Sequence, residues 1–306
     1  MTGSITLANL NTNNLFRRLF ILAELGKSKL SLAVTFSSVT GYFLYRNSVD
    51  LSFISLVAGV FLLASGAAVL NQYIEREEDA VMERTRTRPI PSKHISPSQA
   101  IVFLMFLLIA GSCLLLSAGI IPFILGLLCV VLYNFVYTSL KKITVLAIVP
   151  GALVGAIPPV IGFATAGGDI FNYKIVLFSV FMFLWQLPHF WLLLIRYGKE
   201  YQTAGFKTIV EYLDEKQVRH LVFLWVLLSS LFLIIFVLII NEINNYLAGS
   251  FIIFNLVFIL LFYRLLFPKR ISWDTMSAFI LLNSFGFLLM IILIADSLLK
   301  NILNKI

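Results

Sequence analysis

A dense block of charged residues follows directly on a membrane-length apolar run, at residues 71–89. Within it Asn71, Glu75 and Asp79 recur every four residues. On a helix this spacing places them within about 80° of one another and over about 12 Å of its axis. Mg²⁺ prefers oxygen ligands and typically takes one or two carboxylates, leaving its other positions to water and substrate phosphate. The spacing is typical of such a metal site, and a solvated, charged helix end is the alternative interpretation.

Three arginines come next in the same block. Arg84, Arg86 and Arg88 precede Pro89 and Pro91, whose fixed backbone predicts that the helix stops and the chain turns back toward the following span. Arginine binds phosphate oxygens with a planar, bidentate fork. Basic residues that only set membrane orientation are the alternative. Arginines beside three aligned oxygen ligands favour a site for metal and diphosphate together.

A second polar segment follows a later apolar run. Gln186 and His189 lie near the end of that run, beside Pro188. Polar side chains inside a membrane span are costly enough to need a partner or a function. His189 could orient an acceptor, transfer a proton or ligate a haem iron, or it could satisfy a backbone group freed by Pro188. The loop beyond continues with charged and aromatic residues, among them Lys199, Glu200 and Tyr201.

Between these two segments, Lys141 and Lys142 close another apolar run. They could contact a diphosphate from the opposite wall or anchor to lipid headgroups. The next run is rich in glycine and proline, which permits close helix approach and bending around a cavity. The cysteines Cys113 and Cys129 fall inside predicted spans and lack metal-ligand spacing, so we interpret both as small buried residues.

The elements that carry these residues are predicted to be membrane helices. The chain is 60% hydrophobic with a mean hydropathy of +0.96, too apolar for a soluble globule of 306 residues. We therefore predict an all-α, polytopic membrane protein. Nine transmembrane helices are expected, at 29–46, 52–73, 98–118, 120–138, 144–165, 173–194, 219–240, 246–265 and 276–297.

The distribution of basic residues predicts the orientation of these helices. With nine spans, nineteen of the 23 lysines and arginines fall on one side, and only Arg46, Lys174, Lys300 and Lys305 fall on the other. By the positive-inside rule the amino terminus and both long loops are cytoplasmic, in a cell inner membrane. The net charge of +8 is thus largely a topology signal, and short loops lying against anionic lipid do not suit nucleic-acid binding.

No linker or low-complexity segment divides the chain, so we predict one domain over 1–306. Residues 1–28 are expected to form a cytoplasmic N-terminal segment, with a short interfacial helix at 13–25. The long loops follow spans 2 and 6, which suggests two four-helix halves, each with a functional loop after its second helix, plus a ninth helix.

Together these residues resemble the UbiA superfamily of intramembrane prenyltransferases, and within it the haem O synthases. The first block is similar to the family's Asn-x3-Asp-x3-Asp-x2-Met-x-Arg-Thr-x2-Arg-Pro motif. The segments 137–144, 155–159 and 185–191 also resemble haem O synthase signatures in the right order. The first motif identifies the superfamily, and Trp185-Gln186-Leu187-Pro188-His189 points to the haem branch.

The resemblance implies transfer of the farnesyl group of farnesyl diphosphate to a vinyl group of haem B, with Mg²⁺ as cofactor. It implies catalytic roles for Asn71, Glu75, Asp79 and Glu200, with Glu75, Asp79 and Glu200 as metal ligands. Diphosphate-binding residues would be Arg84, Arg88, Lys141 and Lys199. Acceptor-binding residues would be Gln186, His189 and Tyr201. A haem A synthase is the downstream partner that this product implies.

The sequence departs from the family pattern at several positions. Glu75 and Glu200 stand where the family usually has Asp, Ala147 where it commonly has Asn, and Phe206-Lys207-Thr208-Ile209-Val210 where it has Ile-Pro-Met-Leu-Pro. These changes leave the exact acceptor open. The alternatives are a UbiA-type enzyme acting on a quinone precursor or other aromatic acceptor, and a noncatalytic haem-handling protein or transporter. A transporter normally places ionisable groups near the bilayer midplane, whereas here they cluster at span ends.

Overall fold

The structure is a computed structural model and describes residues 14–240, 245–267 and 275–303. Every regular element in these ranges is helical. The α-helices are α1 Asn14–Leu25, α2 Ser28–Phe43, α3 Leu51–Ile74, α4 Arg76–Val81, α5 Pro97–Ala118, α6 Ile120–Val131, α7 Thr138–Leu140, α8 Ile148–Thr165, α9 Tyr173–Thr203, α10 Glu215–Ile239, α11 Asn245–Leu266 and α12 Thr275–Leu303. A π-helical segment, Leu132–Tyr137, joins α6 to α7, and two 3₁₀ turns lie at Val145–Ala147 and Ile209–Glu211.

Eight stretches of the described chain are long and apolar enough to cross a membrane. They correspond to the second to ninth predicted spans. The first predicted span is α2, whose 16 residues extend about 24 Å. Helix α2 is nevertheless packed within the bundle, against α3, α8 and α12. The all-α polytopic prediction is therefore confirmed, with the first of the nine helices shorter than the sequence indicated.

Local capping explains where several of these helices begin. Asp50 accepts a hydrogen bond from the Phe53 backbone N–H at 3.1 Å and starts α3. Ser96 and Gln99 form a reciprocal capping box at the start of α5. Asp214 does the same with Gln217 at α10. These short polar side chains satisfy backbone donors that a helix start leaves unpaired, so they set the boundaries between long apolar runs.

The packing follows the predicted arrangement of two halves. Helix α3 packs against α5 across the first long loop, and α9 packs against α10 across the second. The first helices of the two halves, α2 and α8, also pack together, while α12 contacts α2, α9 and α11. The carboxyl ends of α3 and α9 and the carboxyl end of the α6–α7 rod thus lie at one end of the bundle, hereafter the charged end.

The N-terminal helix lies against this end. The structure has α1 at Asn14–Leu25, where an interfacial helix is expected. Leu25 is fully buried, and Gln72 donates a hydrogen bond to its carbonyl at 2.8 Å. This contact holds α1 against α3.

Of the basic residues used for the topology prediction, Lys269, Arg270 and Lys305 lie outside the described residues.

Helices α2 and α8 approach each other so closely that only glycine fits at two positions. A Cβ on Gly162 would lie 1.7 Å from the Ser38 carbonyl oxygen, and a Cβ on Gly41 would lie 1.9 Å from the Pro159 carbonyl oxygen. Both obstacles are backbone atoms, which cannot rotate away as a side chain can. Small residues at membrane helix contacts allow this approach, and the contact joins the two halves.

We expect Gly162→Ala to lower the stability of the protein by at least about 1–3 kcal/mol, the usual cost of overpacking. The readout is the thermal unfolding midpoint in detergent. Gly249→Ala on α11 is the matched control, because a Cβ there meets nothing within 4 Å. Equal midpoints for the two variants would contradict the close α2–α8 contact.

Candidate active site

The three aligned oxygen ligands of the sequence lie on consecutive helical turns at the charged end. Helix α3 ends at Ile74 and α4 starts at Arg76, yet the hydrogen-bond ladder continues through the junction. Glu75 N donates to Asn71 O at 2.9 Å, and Asp79 N donates to Glu75 O at 2.8 Å. All three side chains are buried, Asp79 completely. Buried carboxylates at a membrane face require partners.

Asn71 is the hub of the hydrogen-bond network. Its Nδ2 donates to Glu75 Oε2 at 2.9 Å and to Thr138 Oγ1 at 3.3 Å. Its Oδ1 accepts from Lys27 Nζ at 2.8 Å and from the Tyr133 hydroxyl at 3.3 Å. Because every polar position of the amide is used, Asn71 holds the Glu75 carboxylate in one orientation.

The π-helical segment after α6 supplies part of this network. A π turn accommodates an extra residue and is common at functional sites. Here Thr138 donates to the Tyr133 carbonyl at 2.9 Å, five residues earlier. The wider turn places Tyr133 and Thr138 on the same side, where both reach Asn71.

Each motif carboxylate is paired with a cation. Lys141 forms an ion pair with Glu75 Oε1, and Arg88 Nη1 contacts both Asp79 oxygens, at 2.6 and 2.7 Å. Burial lowers the pKa of Lys141, but the Glu75 carboxylate opposes this strongly enough that the pKa is raised overall. Lys141 is therefore charged at neutral pH, and its charge offsets that of Glu75.

Lys27, between α1 and α2, is a third cation at the site. Burial, and then the charge of Arg88, lower the pKa of Lys27 to about 7, although Glu75 and Asp79 act in the opposite direction. Near neutral pH this amine is therefore partly deprotonated. It can donate to Asn71 in either state.

The carboxyl-terminal end of α9 and the loop after it close over the same end of the bundle, so Lys199, Glu200 and Tyr201 lie on the helix and not in the predicted loop. Glu200 Oε2 accepts from the Arg84 backbone N–H at 3.1 Å, and Arg84 Nη2 donates to the Tyr201 hydroxyl at 3.1 Å. Lys207 N donates to the Lys141 carbonyl at 2.8 Å. These contacts join three segments that are distant in sequence and that carry Arg84, Lys141 and Glu200. We call the part of the charged end where they meet the mouth.

The family departure at residues 206–210 has a structural role here. Phe206 is buried, and Lys141 Nζ lies 4.9 Å from its ring centroid. The same amine also lies 4.9 Å from the centroid of the Tyr137 ring. Aromatic faces attract a cation, so both rings help to hold Lys141 beside Glu75.

The predicted acceptor residues Gln186 and His189 lie on α9, further from the charged end than Glu200 and Tyr201. Helix α9 continues past Pro188 without a break and carries Gln186, His189 and Phe190 on adjacent turns. Gln186 packs so closely on α8 that a Cβ on Gly155 would lie 2.4 Å from its Nε2. Trp185 and Trp191 from the same motif are core residues. Gln186, His189 and Phe190 are the half-buried members of the motif.

Aromatic rings connect this region to the charged end. The His189 and Phe190 rings are 5.6 Å apart, Phe190 and Tyr137 are 6.0 Å apart, and Tyr137 stacks on Tyr133 at 5.8 Å. Tyr133 in turn donates to Asn71. A continuous aromatic wall therefore runs from the predicted acceptor site to the carboxylates.

The structure brings most of the predicted site residues together, but not all. Asn71, Glu75, Asp79, Arg88 and Lys141 form one buried network, and Arg84, Glu200 and Tyr201 form a second at the mouth. Within the described ranges, no three His, Cys, Asp or Glu residues cluster closely enough to hold a metal. Glu75, Asp79 and Glu200 therefore stay predictions as metal ligands, and the exposed Lys199 stays a prediction as a diphosphate ligand.

Sequence reasoning missed several members of the site. Lys27 and Thr138 contact Asn71 directly, Glu78 pairs with Lys142 next to Lys141, and Asn283 contacts His189. Lys27 lies outside all the quoted motifs, and Thr138 belongs to the 137–144 signature but gave no indication that it would contact Asn71. Glu78 directly precedes Asp79 in the sequence, but it does not fit the four-residue spacing of Asn71, Glu75 and Asp79.

These residues fit a divalent metal with a diphosphate. The two buried carboxylates of Glu75 and Asp79 are donors of the kind that Mg²⁺ takes alongside substrate phosphate. Glu78 adds Oε2, a buried oxygen with no hydrogen-bond partner among the described residues. Its Oε1 pairs with Lys142. Burial raises the pKa of Glu78, but the Lys142 hydrogen bond and charge lower it overall, so it is ionised at neutral pH.

Comparison with known proteins identifies the family of the chain. Residues 32–295 match the model of the UbiA prenyltransferase family. A protoheme IX farnesyltransferase of Geobacter sulfurreducens is 40% identical over 179 residues, 58% of this chain and 66% of that protein. The mitochondrial protoheme IX farnesyltransferase of Arabidopsis thaliana is 38% identical over 190 residues, 61% of this chain and 44% of that protein. The matches thus span less than two thirds of these relatives' length.

Solved structures share the fold. A UbiA homolog from Archaeoglobus fulgidus bound to GPP and Mg²⁺ superposes with a TM-score of 0.67 at 13% identity, over 90% of this chain and 98% of that one. The apo UbiA homolog from Aeropyrum pernix K1 gives 0.73 at 16% identity, with the same coverage. At such identities the likeness concerns the fold alone. Since the family model covers most of the sequence and the bundle is the same, this chain is a multi-pass membrane protein that belongs to the UbiA prenyltransferase family.

Proposed function

We propose that this protein transfers the farnesyl group of farnesyl diphosphate to a vinyl group of haem B, giving haem O and diphosphate. The observation that carries the proposal is the pairing of two regions along one aromatic wall. At one end lie the buried carboxylates and cations around Asn71, and at the other lie Gln186 and His189 of the haem-branch motif. The names of the curated relatives support the same acceptor.

The diphosphate would bind at the charged end. Arg88 and Lys141 already lie beside the motif carboxylates, and Arg84 lies at the mouth. Lys199 would reach the same anion from the carboxyl-terminal end of α9. Charge builds up on the diphosphate as its bond to the farnesyl carbon breaks, and fixed cations in a site of low dielectric stabilise that charge most in the transition state.

Glu75 and Asp79 would hold Mg²⁺, and Glu200 is the proposed further ligand from the carboxyl-terminal end of α9. When bound, the metal supplies Lewis-acid charge neutralisation to the leaving diphosphate. Asn71 would keep Glu75 oriented for this purpose.

The farnesyl tail would lie among apolar helices, entering laterally from the bilayer. Departure of diphosphate leaves an allylic carbocation, which the π electrons of the haem vinyl group attack. Water then adds to the resulting cation and loses a proton, which completes the hydroxyethylfarnesyl group. The faces of Tyr133 and Tyr137, stacked beside the charged end, would stabilise the cation and exclude water until the carbon–carbon bond forms. Tyr201 and Gln186 would position the acceptor.

The proposed location is a cell inner membrane with the charged end in the cytoplasm, as the basic loops indicate. A haem A synthase would consume the product.

The test is a transfer assay with purified protein in lipid nanodiscs and labelled farnesyl diphosphate. We expect label to enter a haem product with the mass of haem O when haem B is offered, and none when aromatic acids are offered. EDTA should abolish transfer and added Mg²⁺ should restore it. Transfer to an aromatic acid but not to haem B would overturn the proposed acceptor while keeping the family chemistry.

A further inference from the structure

The ring of His189 is held by a residue from a distant helix. His189 Nδ1 lies 2.9 Å from Asn283 Oδ1 on α12, 94 residues later in the chain. The sequence contains three histidines. His94 is exposed before α5 and His220 is exposed in the first turns of α10, whereas His189 lies in the interior of α9. Its partner therefore decides which ring nitrogen is available.

The contact made by the amide nitrogen of Asn283 determines which atom donates in this hydrogen bond. Asn283 Nδ2 lies 2.7 Å from the Phe279 carbonyl oxygen, one turn earlier on α12. A carbonyl oxygen can only accept, so the amide nitrogen must face it. The flipped amide would place two acceptor oxygens in contact. Oδ1 is thereby left facing His189, and since Oδ1 also only accepts, His189 Nδ1 must carry the proton.

In the neutral ring with its proton on Nδ1, Nε2 keeps its lone pair. Nδ1 makes the only ring hydrogen bond found for His189 within the described part of the chain. The ring is packed between aromatic neighbours, Phe279 at 4.8 Å and Phe190 at 5.6 Å between centroids. Neutral imidazole nitrogen is the commonest protein ligand for metals, and flat apolar walls suit a porphyrin.

We propose that Asn283 is a positioning residue that holds His189 in the Nδ1–H tautomer, so that Nε2 ligates the iron of the haem acceptor. This inference rests on the proposed function, because haem enters it as the substrate. It specifies that His189 Nε2 is the atom that binds the iron and that Asn283 is the residue that positions it. Ligation at Nε2 would fix the porphyrin at the far end of the aromatic wall that leads through Phe190 and Tyr137 to Lys141.

The energetic expectation follows from other metal-bound histidines. The group that accepts from the second ring nitrogen fixes the ring and raises its basicity, and its removal typically costs about 10–100-fold in affinity. Asn283→Leu keeps the side-chain size and removes the acceptor. Asn283→Asp keeps an acceptor oxygen for Nδ1–H. The two variants separate loss of the hydrogen bond from loss of packing.

The first experiment titrates haem B into the purified, detergent-solubilised protein and follows the Soret band. We expect a histidine-ligated spectrum for wild type and for Asn283→Asp. Asn283→Leu should bind about 10–100-fold more weakly, and His189→Gly should lose the histidine-ligated band and recover it with added imidazole. Asn255→Leu is the matched control, because Asn255 is a buried amide on α11 that donates to the Ser230 carbonyl instead.

The second experiment reads the tautomer directly and needs no haem. In a variant that keeps only His189 (His94→Gln, His220→Gln), ¹⁵N NMR should show Nδ1 protonated and Nε2 unprotonated, and adding Asn283→Leu should abolish that preference. An Nε2–H ring in the first variant would overturn the inference. So would an unchanged Soret band and affinity in His189→Gly. If wild type neither binds haem B nor forms haem O, the proposed function itself fails, and the iron-ligand role fails with it.

Discussion

Replacing Asp79 by Asn is expected to lower kcat/KM for farnesyl transfer by about 10²–10³-fold or more, the usual cost of removing one preorganised charge-stabilising group. Asp79 is fully buried, and both its oxygens contact Arg88 Nη1. An amide of the same size removes the charge that would hold Mg²⁺ and leaves the guanidinium without its counter-ion. The measurement is transfer of labelled farnesyl to haem B at several diphosphate concentrations.

The matched control for this variant is Glu77→Gln. It removes the same charge from the same short helix, but the Glu77 side chain is 83% exposed and its ion pair with Arg76 is 3.5 Å long. We expect wild-type transfer from it. Gel filtration should show both variants folded, and Asp79→Ala and Glu75→Gln should also be inactive. Wild-type turnover in folded Asp79→Asn would contradict the catalytic assignment.

Replacing Lys141 by Gln is expected to destabilise the protein by about 3–5 kcal/mol, because it leaves the Glu75 carboxylate buried without a counter-ion. The side chains of Lys141 and Glu75 are only 13% and 5% exposed. Adding Glu75→Gln to Lys141→Gln should recover much of the lost stability, since two amides can hydrogen-bond without a buried charge. Transfer activity should not return, because neither the carboxylate nor the cation is restored.

The readouts are thermal unfolding and transfer activity for both single variants and the double variant. Lys142→Gln is the control for lysine loss, since its side chain is 47% exposed and its ion pair with Glu78 is partly solvated. Such pairs contribute at most about 1 kcal/mol. If the double variant were no more stable than Lys141→Gln, the buried ion pair would not be the source of the effect.

Much of the fold could be predicted from hydropathy. A segment that crosses a bilayer must satisfy its backbone hydrogen bonds internally, which only a helix or a closed β-barrel can do. Continuous apolar runs of this length therefore predict helices. The spacing of Asn71, Glu75 and Asp79 likewise predicted a shared helical face, and the hydrogen-bond ladder through Glu75 shows that face. Helix α2 was predicted less well. Its 16 residues end at Phe43, before the apolar character of the sequence ends.

The pairing of charges could not be predicted in this way. Lys141 and Arg88 were expected to contact a diphosphate, whereas in the structure they neutralise Glu75 and Asp79. A buried carboxylate takes the nearest available cation, and which cation is nearest depends on helix packing. For the same reason the sequence did not indicate Lys27, which reaches Asn71 from a segment 44 residues away.

The sequence alone determined the membrane helices, their number and the local chemistry of each motif, because hydrophobic length and residue spacing are properties of short segments. Tertiary structure decided which motifs meet. The contacts of Arg84 with Tyr201, of Glu75 with Lys141 and of His189 with Asn283 each join residues far apart in the chain. Their distances are set by how α3 and α9 pack against α8 and how α12 packs against α9, which no single segment encodes.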